Sequence, residues 1–434
     1  MVVRRGRVVA EGWWAPYSAD RVHLLYSLTK SFTSIAVGLA VADGLLSLDE
    51  RIVDVLPDHV PTEVPDQGRR LTVRHLLSMT AGHETDSLAA AWEFEPTDLT
   101  KGFLRVPFTW PEGTRHVYDN ATTYVLARMV ERVTGRDLPG FLDDRLLLPM
   151  GIDHAEWDRV ASGAAFGFHG LHLTTEAVAG FGELLRREGL WGDKRLVPQE
   201  WVRAATSRQI ETLQFDDGSR PLDSVAGYGF QFWRSRDGYR GDGAFGQLCM
   251  VYPEQELVVV VTAGDGPDGA TTGAVHDCLL PGVDAPDDVA ADTDLAERLS
   301  RLAFPLPTGS PHTGRTVTAV LDGSAPESPL PDGTNVVLDP AIGGWRLRLG
   351  PQLQVEVGYG EWREISPLGR PVVAAGAWQG DRFVADLFVI TSAHRVRIVV
   401  DADRATATWS TVPLTGPNLI LHLQAPLMTR PDVA

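Results

Sequence analysis

The chain predicts an α/β (α+β) protein in two parts: an antiparallel sheet with flanking helices and a helical insertion, then a C-terminal antiparallel β-barrel. Three observations predict it. Helical periodicities fill the region between an N-terminal strand pattern and a run of apolar, β-branched segments beyond Gly227. A Pro/Gly/Asp-rich stretch then interrupts the chain. Beyond that stretch only short alternating segments occur, the texture of a barrel or sandwich.

Residues 1–10 read as a strand, followed by a turn holding Trp13, Trp14 and Tyr17. Ser27 opens a helix, SLTKSFTSIAVGLAVADG, with apolar positions at Phe32, Ile35, Leu39 and Val41 and a stop at Gly44. LTVRHLLSMTAGH (71–83) reads as a short helix closed by Gly82. NATTYVLARMVERVTG (120–135) reads as an amphipathic helix capped by Asn120 and ended by Gly135. Further helices fit roughly 138–148, 175–189 and 198–207. YGFQFW, GQLCMVY and LVVVVTA then read as strands, with PEQE (253–256) as a hairpin turn, and a helix near 269–281 ends at Pro281.

The resulting domains are 1–283, with an insertion over about 46–222, a linker at 284–314 around a short helix at 293–303, and a barrel at 315–434. The barrel strands are TVTAVL, WRLRLG, LQVEVGYG, RFVADLFVI, HRVRIVVD and ATATWS. Trp345, Trp362, Trp378 and Trp409 are expected to fill its core. Acidic runs near 284–294 read as solvated linker.

The 434 residues are 44% apolar and 22% charged, ordinary for a globular chain. A formal charge of −18 argues against nucleic acid or an anionic membrane as a partner. No run of about 18 apolar residues is present to span a bilayer. The opening MVVRRGRVVAEGWWAPY lacks the apolar stretch of a signal peptide, and a strand beginning almost at residue 1 leaves room for a truncated start. Cys249 and Cys278 supply neither a disulfide framework nor a metal spacing, and read as ordinary buried thiols in a reducing, cytoplasmic setting.

One stretch carries chemistry. YSLTKSF (26–32) holds Lys30, one of only three lysines, the others being Lys101 and Lys194. A serine hydroxyl needs a base within hydrogen-bond reach to become a nucleophile. Positions i and i+3 share one helix face, so Ser27 and Lys30 project together. Arginine could not serve, because its guanidinium does not release a proton in proteins. Lysine can, once desolvation or a nearby cation lowers its pKa.

YSLTKSFTSIAVGLAVADGLLSLDERIVDVLP resembles the active-site helix of the serine β-lactamase and penicillin-binding-protein superfamily, in its class C-like branch. That branch includes esterases, D-amino-acid peptidases and 6-aminohexanoate-dimer hydrolases. Its second element, Y-x-N, matches Tyr118-Asp119-Asn120 directly before a helix. The likeness continues through LTVRHLLSMTAGH, LLLPMGI and WGDKRLVPQEWV and covers about 1–280. It implies Ser27 as the acylated nucleophile and Lys30 as its proton acceptor. It also implies Tyr118 as a second base of low pKa that protonates the leaving group, and Asn120 orienting Lys30 and binding a substrate carbonyl. The oxyanion hole would be the backbone N–H groups of Ser27 and Ala244.

The third element departs from the family pattern. Where the family carries K-T-G or H-x-G, this chain has Gly241-Asp242-Gly243. Gly243 would let substrate lie along the strand. Asp242 would repel the carboxylate of penicillin-like substrates, which moves the likeness toward 6-aminohexanoate-dimer hydrolases. Asp242 either pairs with Arg240 or receives a substrate ammonium. Trp233 is a candidate substrate contact, while Trp13, Trp14, His116 and Tyr228 could line an acyl pocket. His75, His83, His169 and His172 lack a third ligand at metal spacing, so no metal is expected.

The implied activity is a serine hydrolase that cleaves an ester or amide of a small molecule or peptide through a covalent acyl-enzyme, with no cofactor. The rivals are a β-lactamase or D,D-peptidase, a peptide cyclase or transacylase, and a binding protein that has lost catalysis. The barrel resembles the lipocalin-like domain appended to some relatives.

Overall fold

A computed structural model describes residues 1–212, 222–264, 269–286, 288–311 and 315–429. The end of the expected insertion (213–221), parts of the expected linker (287 and 312–314) and the last five residues of the expected barrel lie outside them. Two compact units are present: Met1–Glu11 with Leu25–Asp287, and Gly12–Leu24 with Asp288–Thr429. The segment Gly12–Leu24, read from sequence as part of the first domain, therefore clusters with the second unit.

The first ten residues are a hairpin rather than one strand: β1 (Val2–Arg4) and β2 (Arg7–Ala10) flank Arg5 and Gly6, both at positive φ. Two successive left-handed residues make the tight turn whose twist suits a hairpin. The rest of this sheet comes from over 200 residues later: β3 (Trp233–Arg234), β4 (Tyr239–Gly243), β5 (Gln247–Tyr252) and β6 (Leu257–Val261). Strand order is β2-β1-β6-β5-β4-β3, with Val3 opposite Val258 and Gly241 opposite Cys249. The YGFQFW segment contributes only its last residue to this sheet.

Helix α1 (Thr29–Ala42) is buried on nearly every face, including its polar Thr29, Lys30, Ser31, Thr33 and Ser34. A helix buried all round is a central one. Against it packs α3 (Asn120–Thr134), ended by Gly135 at φ 68°, and α2 (Val73–Leu77) packs in turn on α3. The helix expected over 71–83 is this short because Met79 adopts φ 55° and turns the chain. Gln231 ties the group together: Nε2 donates to the carbonyls of Leu76 and Leu77, Oε1 accepts from Thr123, and its carbonyl accepts from Ser31. Helix α4 (Thr175–Arg186) lies over β5 and β6, with Gly182 too close to Val258 and Cys249 to admit a side chain. Cys249 is buried but Cys278 is exposed, correcting the expectation for the second thiol.

The second unit starts with a helix at Val289–Leu299, four residues earlier than expected because Asp288 caps it, accepting from the N–H groups of Ala290 and Ala291. Its barrel has β7 (Val317–Asp322), β8 (Asn335–Ala341), β9 (Gly344–Leu349), β10 (Leu353–Gly358), β11 (Arg363–Ile365), β12 (Val372–Gln379), β13 (Arg382–Val389), β14 (Arg395–Asp401) and β15 (Arg404–Trp409). Eight of them close in the order β10-β9-β8-β7-β15-β14-β13-β12, with β11 added on β12. Two junctions are parallel, β7 with β15 and β10 with β12, so the barrel is not wholly antiparallel. The short β11 supplies one extra reversal of direction, and that reversal makes both junctions parallel. Alternation points Trp345, Leu347, Val355, Phe383 and Ile398 inward, and the rings of Trp345 and Phe383 meet edge to face at 4.8 Å. Trp378 and Trp409 join that core, whereas Trp362 packs in a separate cluster with Tyr17 and Phe304.

Candidate active site

Ser27 sits in a single helical turn, Tyr26–Leu28, that leads into α1. Tyr26 holds φ at 48°, its ring stacked on His169 at 5.5 Å and edge-on to Phe245 at 5.1 Å. A left-handed residue costs roughly 1–2 kcal/mol, and such strain concentrates at functional sites.

Lys30 extends from the first turn of α1 and is 1% exposed. Its Nζ lies 2.8 Å from Ser27 Oγ and donates to the carbonyl of Phe168 at 3.1 Å. Burial lowers its pKa to about 7, against the opposing charges of Asp86, Asp119 and Asp242. A neutral amine has two N–H bonds and one lone pair. With one N–H on the Phe168 carbonyl, the lone pair is available to the Ser27 hydroxyl proton.

Tyr118 is hydrogen-bonded to Ser27, and the Lys30 Nζ lies 4.8 Å from its ring centre. Its pKa is raised rather than lowered: burial dominates, and Asp242 and Asp86 push the same way. The expectation of a low-pKa tyrosine is thus overturned; the lysine takes the downward shift and the phenol keeps its proton. Trp233 stacks on Tyr118 at 5.8 Å and 14°, and Tyr228 and His116 stand against Trp233 at 5.0 and 5.7 Å. Trp13 and Trp14 belong to the segment that clusters with the other unit.

Asn120 does not orient Lys30. Its Nδ2 donates to Asp86 Oδ2 at 2.5 Å and its backbone N–H to Asp86 Oδ1 at 3.0 Å. Nor does it cap the helix, because the cap is Asp119, which accepts from the Ala121 N–H. Asp119 is also bound by His83 Nδ1 at 3.0 Å and by the N–H and hydroxyl of Ser87. His83 is therefore committed to Asp119 and His172 to Asp158, and no metal-holding group occurs among the described residues.

Strand β4 lies against the Ser27 turn. A side chain at Gly243 would collide with the Leu25 carbonyl, and one at Gly241 with Leu28 and Ser31. The missing side chains are thus used by the chain's own close approach. Arg240 and Asp242 face the other way, and Arg240 Nε donates to Asp242 Oδ2 at 2.8 Å. Of the two readings of Asp242, pairing with Arg240 is the one observed. Ala244 begins the turn after β4, which Gln247 pins by donating to the carbonyls of Ala244, Phe245 and Ala263.

Asp86, Asp119, Phe168 and Gln231 were not found by sequence reasoning. Asp119 was within reach of it, since Asp is as good a cap as Asn and stands one residue earlier. Asp86 gave no signal, because its loop meets Asn120 only in the folded chain.

A sheet bearing a buried Ser-x-x-Lys helix, with a tyrosine hydrogen-bonded to the serine, defines the class of serine hydrolases related to β-lactamases and penicillin-binding proteins. The chain belongs to the Beta-lactamase family, whose model matches residues 1–275. It is 25% identical over 278 residues to a 6-aminohexanoate-dimer hydrolase of Paenarthrobacter ureafaciens, covering 60% of this chain and 70% of that one. It is 30% identical over 174 residues to the lovastatin esterase of Penicillium rubens, covering 35% of this chain and 43% of the relative. A solved structure from Bacillus anthracis, assigned as a 6-aminohexanoate-dimer hydrolase, shares the fold with a TM-score of 0.52 at 19% identity, covering 69% of this chain and 79% of its own. No helix among the described residues is long and apolar enough to cross a membrane.

Proposed function

We propose that this protein cleaves an ester or amide bond of a small molecule or peptide by acyl transfer through Ser27. The observation that carries the reading is the buried Lys30 amine, lowered to about 7 and 2.8 Å from the Ser27 hydroxyl. Lys30 takes the hydroxyl proton as Oγ attacks the carbonyl carbon. The backbone N–H groups of Ser27 and Ala244 receive the developing oxyanion. Tyr118, protonated and bonded to Ser27, gives its proton to the leaving alcohol or amine as that bond breaks, and the proton Lys30 took from Ser27 restores the phenol. Water then repeats the sequence on the acyl-enzyme, releasing the acid. Trp233 and the Asp242–Gly243 strand edge form the wall along which substrate lies.

The sign of the charge supports a small-molecule or peptide substrate over nucleic acid or an anionic membrane. The two unpaired cysteines support a reducing, cytoplasmic location. Intact mass after incubation with a fluorophosphonate, beside a Ser27→Ala control, tests the reading. One adduct lost in the control, with p-nitrophenyl ester turnover and none of nitrocefin, is expected. Absence of an adduct would return the chain to the binding-protein reading, and nitrocefin turnover would make it a β-lactamase.

A further inference from the structure

The acyl-transfer reading above is the footing for a second one, about which acyl groups the site prefers. Asp86 grips Asn120 at two points, accepting from its backbone N–H at 3.0 Å and from its Nδ2 at 2.5 Å. Asp86 Oδ1 also accepts from the Leu88 N–H at 3.1 Å, so the carboxylate is itself held. An ionised carboxylate can only accept, so it decides which end of the Asn120 carboxamide turns toward it. That end is the nitrogen, and the carbonyl oxygen is left at the other. Lys30 makes its bonds to Ser27 and Phe168, leaving the Asn120 oxygen without a partner among the described residues.

We propose that Asp86 is a positioning residue for substrate choice: by holding the Asn120 nitrogen it presents the Asn120 oxygen to substrate, selecting acyl groups that carry an N–H donor. The same count of valences runs along the strand edge. Asp242 Oδ2 is taken by Arg240, and its remaining oxygen is again an acceptor. A substrate amine or amide N–H finds acceptors here, while a substrate carboxylate would meet the like charges of Asp86 and Asp242.

The substitution Asp86→Asn tests this without changing size. Its oxygen can still accept from Leu88 and from the Asn120 backbone, but its NH2 group would then oppose the Asn120 Nδ2. Two facing donors repel, and rotation of the Asn120 carboxamide relieves them by turning its nitrogen toward substrate.

The experiment is steady-state kinetics and intact-mass acylation with p-nitrophenyl 7-aminoheptanoate, p-nitrophenyl octanoate and the mono-p-nitrophenyl ester of octanedioate. For the native chain we expect kcat/KM to fall in that order, by about tenfold from the first to the second and chiefly through KM. In Asp86→Asn the ratio of the first ester to the second should collapse to about one. A residue that only supported the loop would lower all three esters together and leave the ratio standing, which would overturn the proposal. So would equal use of the first two esters by the native chain, a result that does not depend on the variant folding. Failure of all three to acylate Ser27 would instead sink the acyl-transfer reading itself.

Discussion

Lys30 Nζ and Ser27 Oγ are 2.8 Å apart with the lysine sealed from solvent, a placement that bears on both the proposed chemistry and the stability of the fold. A cation so placed gives up hydration with no carboxylate among the described residues at ion-pair distance, and its pKa falls in response.

The first consequence is a pH dependence of acylation. Lys30 must be neutral to accept a proton, and its pKa is lowered to about 7. The rate with p-nitrophenyl acetate should therefore rise through about 7 to a plateau on the alkaline side. Lys30→Arg, which keeps the charge but cannot act as a base, should lower kcat/KM by about 10³ or more at every pH. A flat profile in the native chain would remove Lys30 from the role of base.

The same shift acts on stability with a definite sign. The unfolded lysine titrates at its ordinary 10.5, the folded one at about 7. Between those values the unfolded state binds more protons, so rising pH favours the folded state; below about 7 both are charged and this term is flat. Lys30→Met lacks the term. Urea unfolding at pH 7 and 9 should show the native chain gaining on the variant by on the order of 2 kcal/mol over that interval. Equal changes in both proteins would contradict the lowered lysine.

Tyr118→Phe separates chemistry from packing. The phenyl ring keeps the stack on Trp233, so the thermal midpoint should move by only a few degrees. With the proposed proton donor to the leaving group removed, kcat should drop by about 10² to 10⁴. The loss should be smaller for p-nitrophenolate, which leaves without a proton, than for an alkoxide or amine. Equal losses for good and poor leaving groups would argue against Tyr118 as the donor.

Asp119 supports α3, and through it the Tyr118–Asn120 pair. Asp119→Ala would strip the partner from a buried His83, from the Ser87 and Ala121 amides and from the Ser87 hydroxyl. We expect a loss of about 3–5 kcal/mol in urea unfolding, because several buried donors lose one carboxylate acceptor together. A change under about 1 kcal/mol would show that water replaces the carboxylate easily.

Close approach makes a last prediction. Gly243→Ala places a methyl against the Leu25 carbonyl, a backbone atom that cannot rotate away. Strand β4 must shift from the Ser27 turn, at a cost of about 1–3 kcal/mol. Ala244, at the end of that strand, would move with it, so ester turnover should fall by more than the stability loss explains. Unchanged turnover would separate the Ala244 amide from the reaction.

What the sequence alone determined is the local part of this protein. A rare lysine three residues after a serine can only share that serine's helix face, because helical spacing is a property of the backbone. The barrel strands with strict alternation were legible for the same reason, whereas β8, with Asp339 and Pro340, and the Ala/Gly-rich β12 were not, since their residues are weak strand formers. Only the tertiary structure decided the rest: that burial moves the pKa shift onto Lys30 and away from Tyr118, that Asp242 is held by Arg240, that a loop carboxylate at Asp86 takes the Asn120 nitrogen, and that one short extra strand makes two barrel junctions parallel. Each of these depends on which groups meet across long stretches of chain and how much water they lose in meeting. Desolvation and acceptor geometry are properties of that encounter, and no spacing along the chain encodes them.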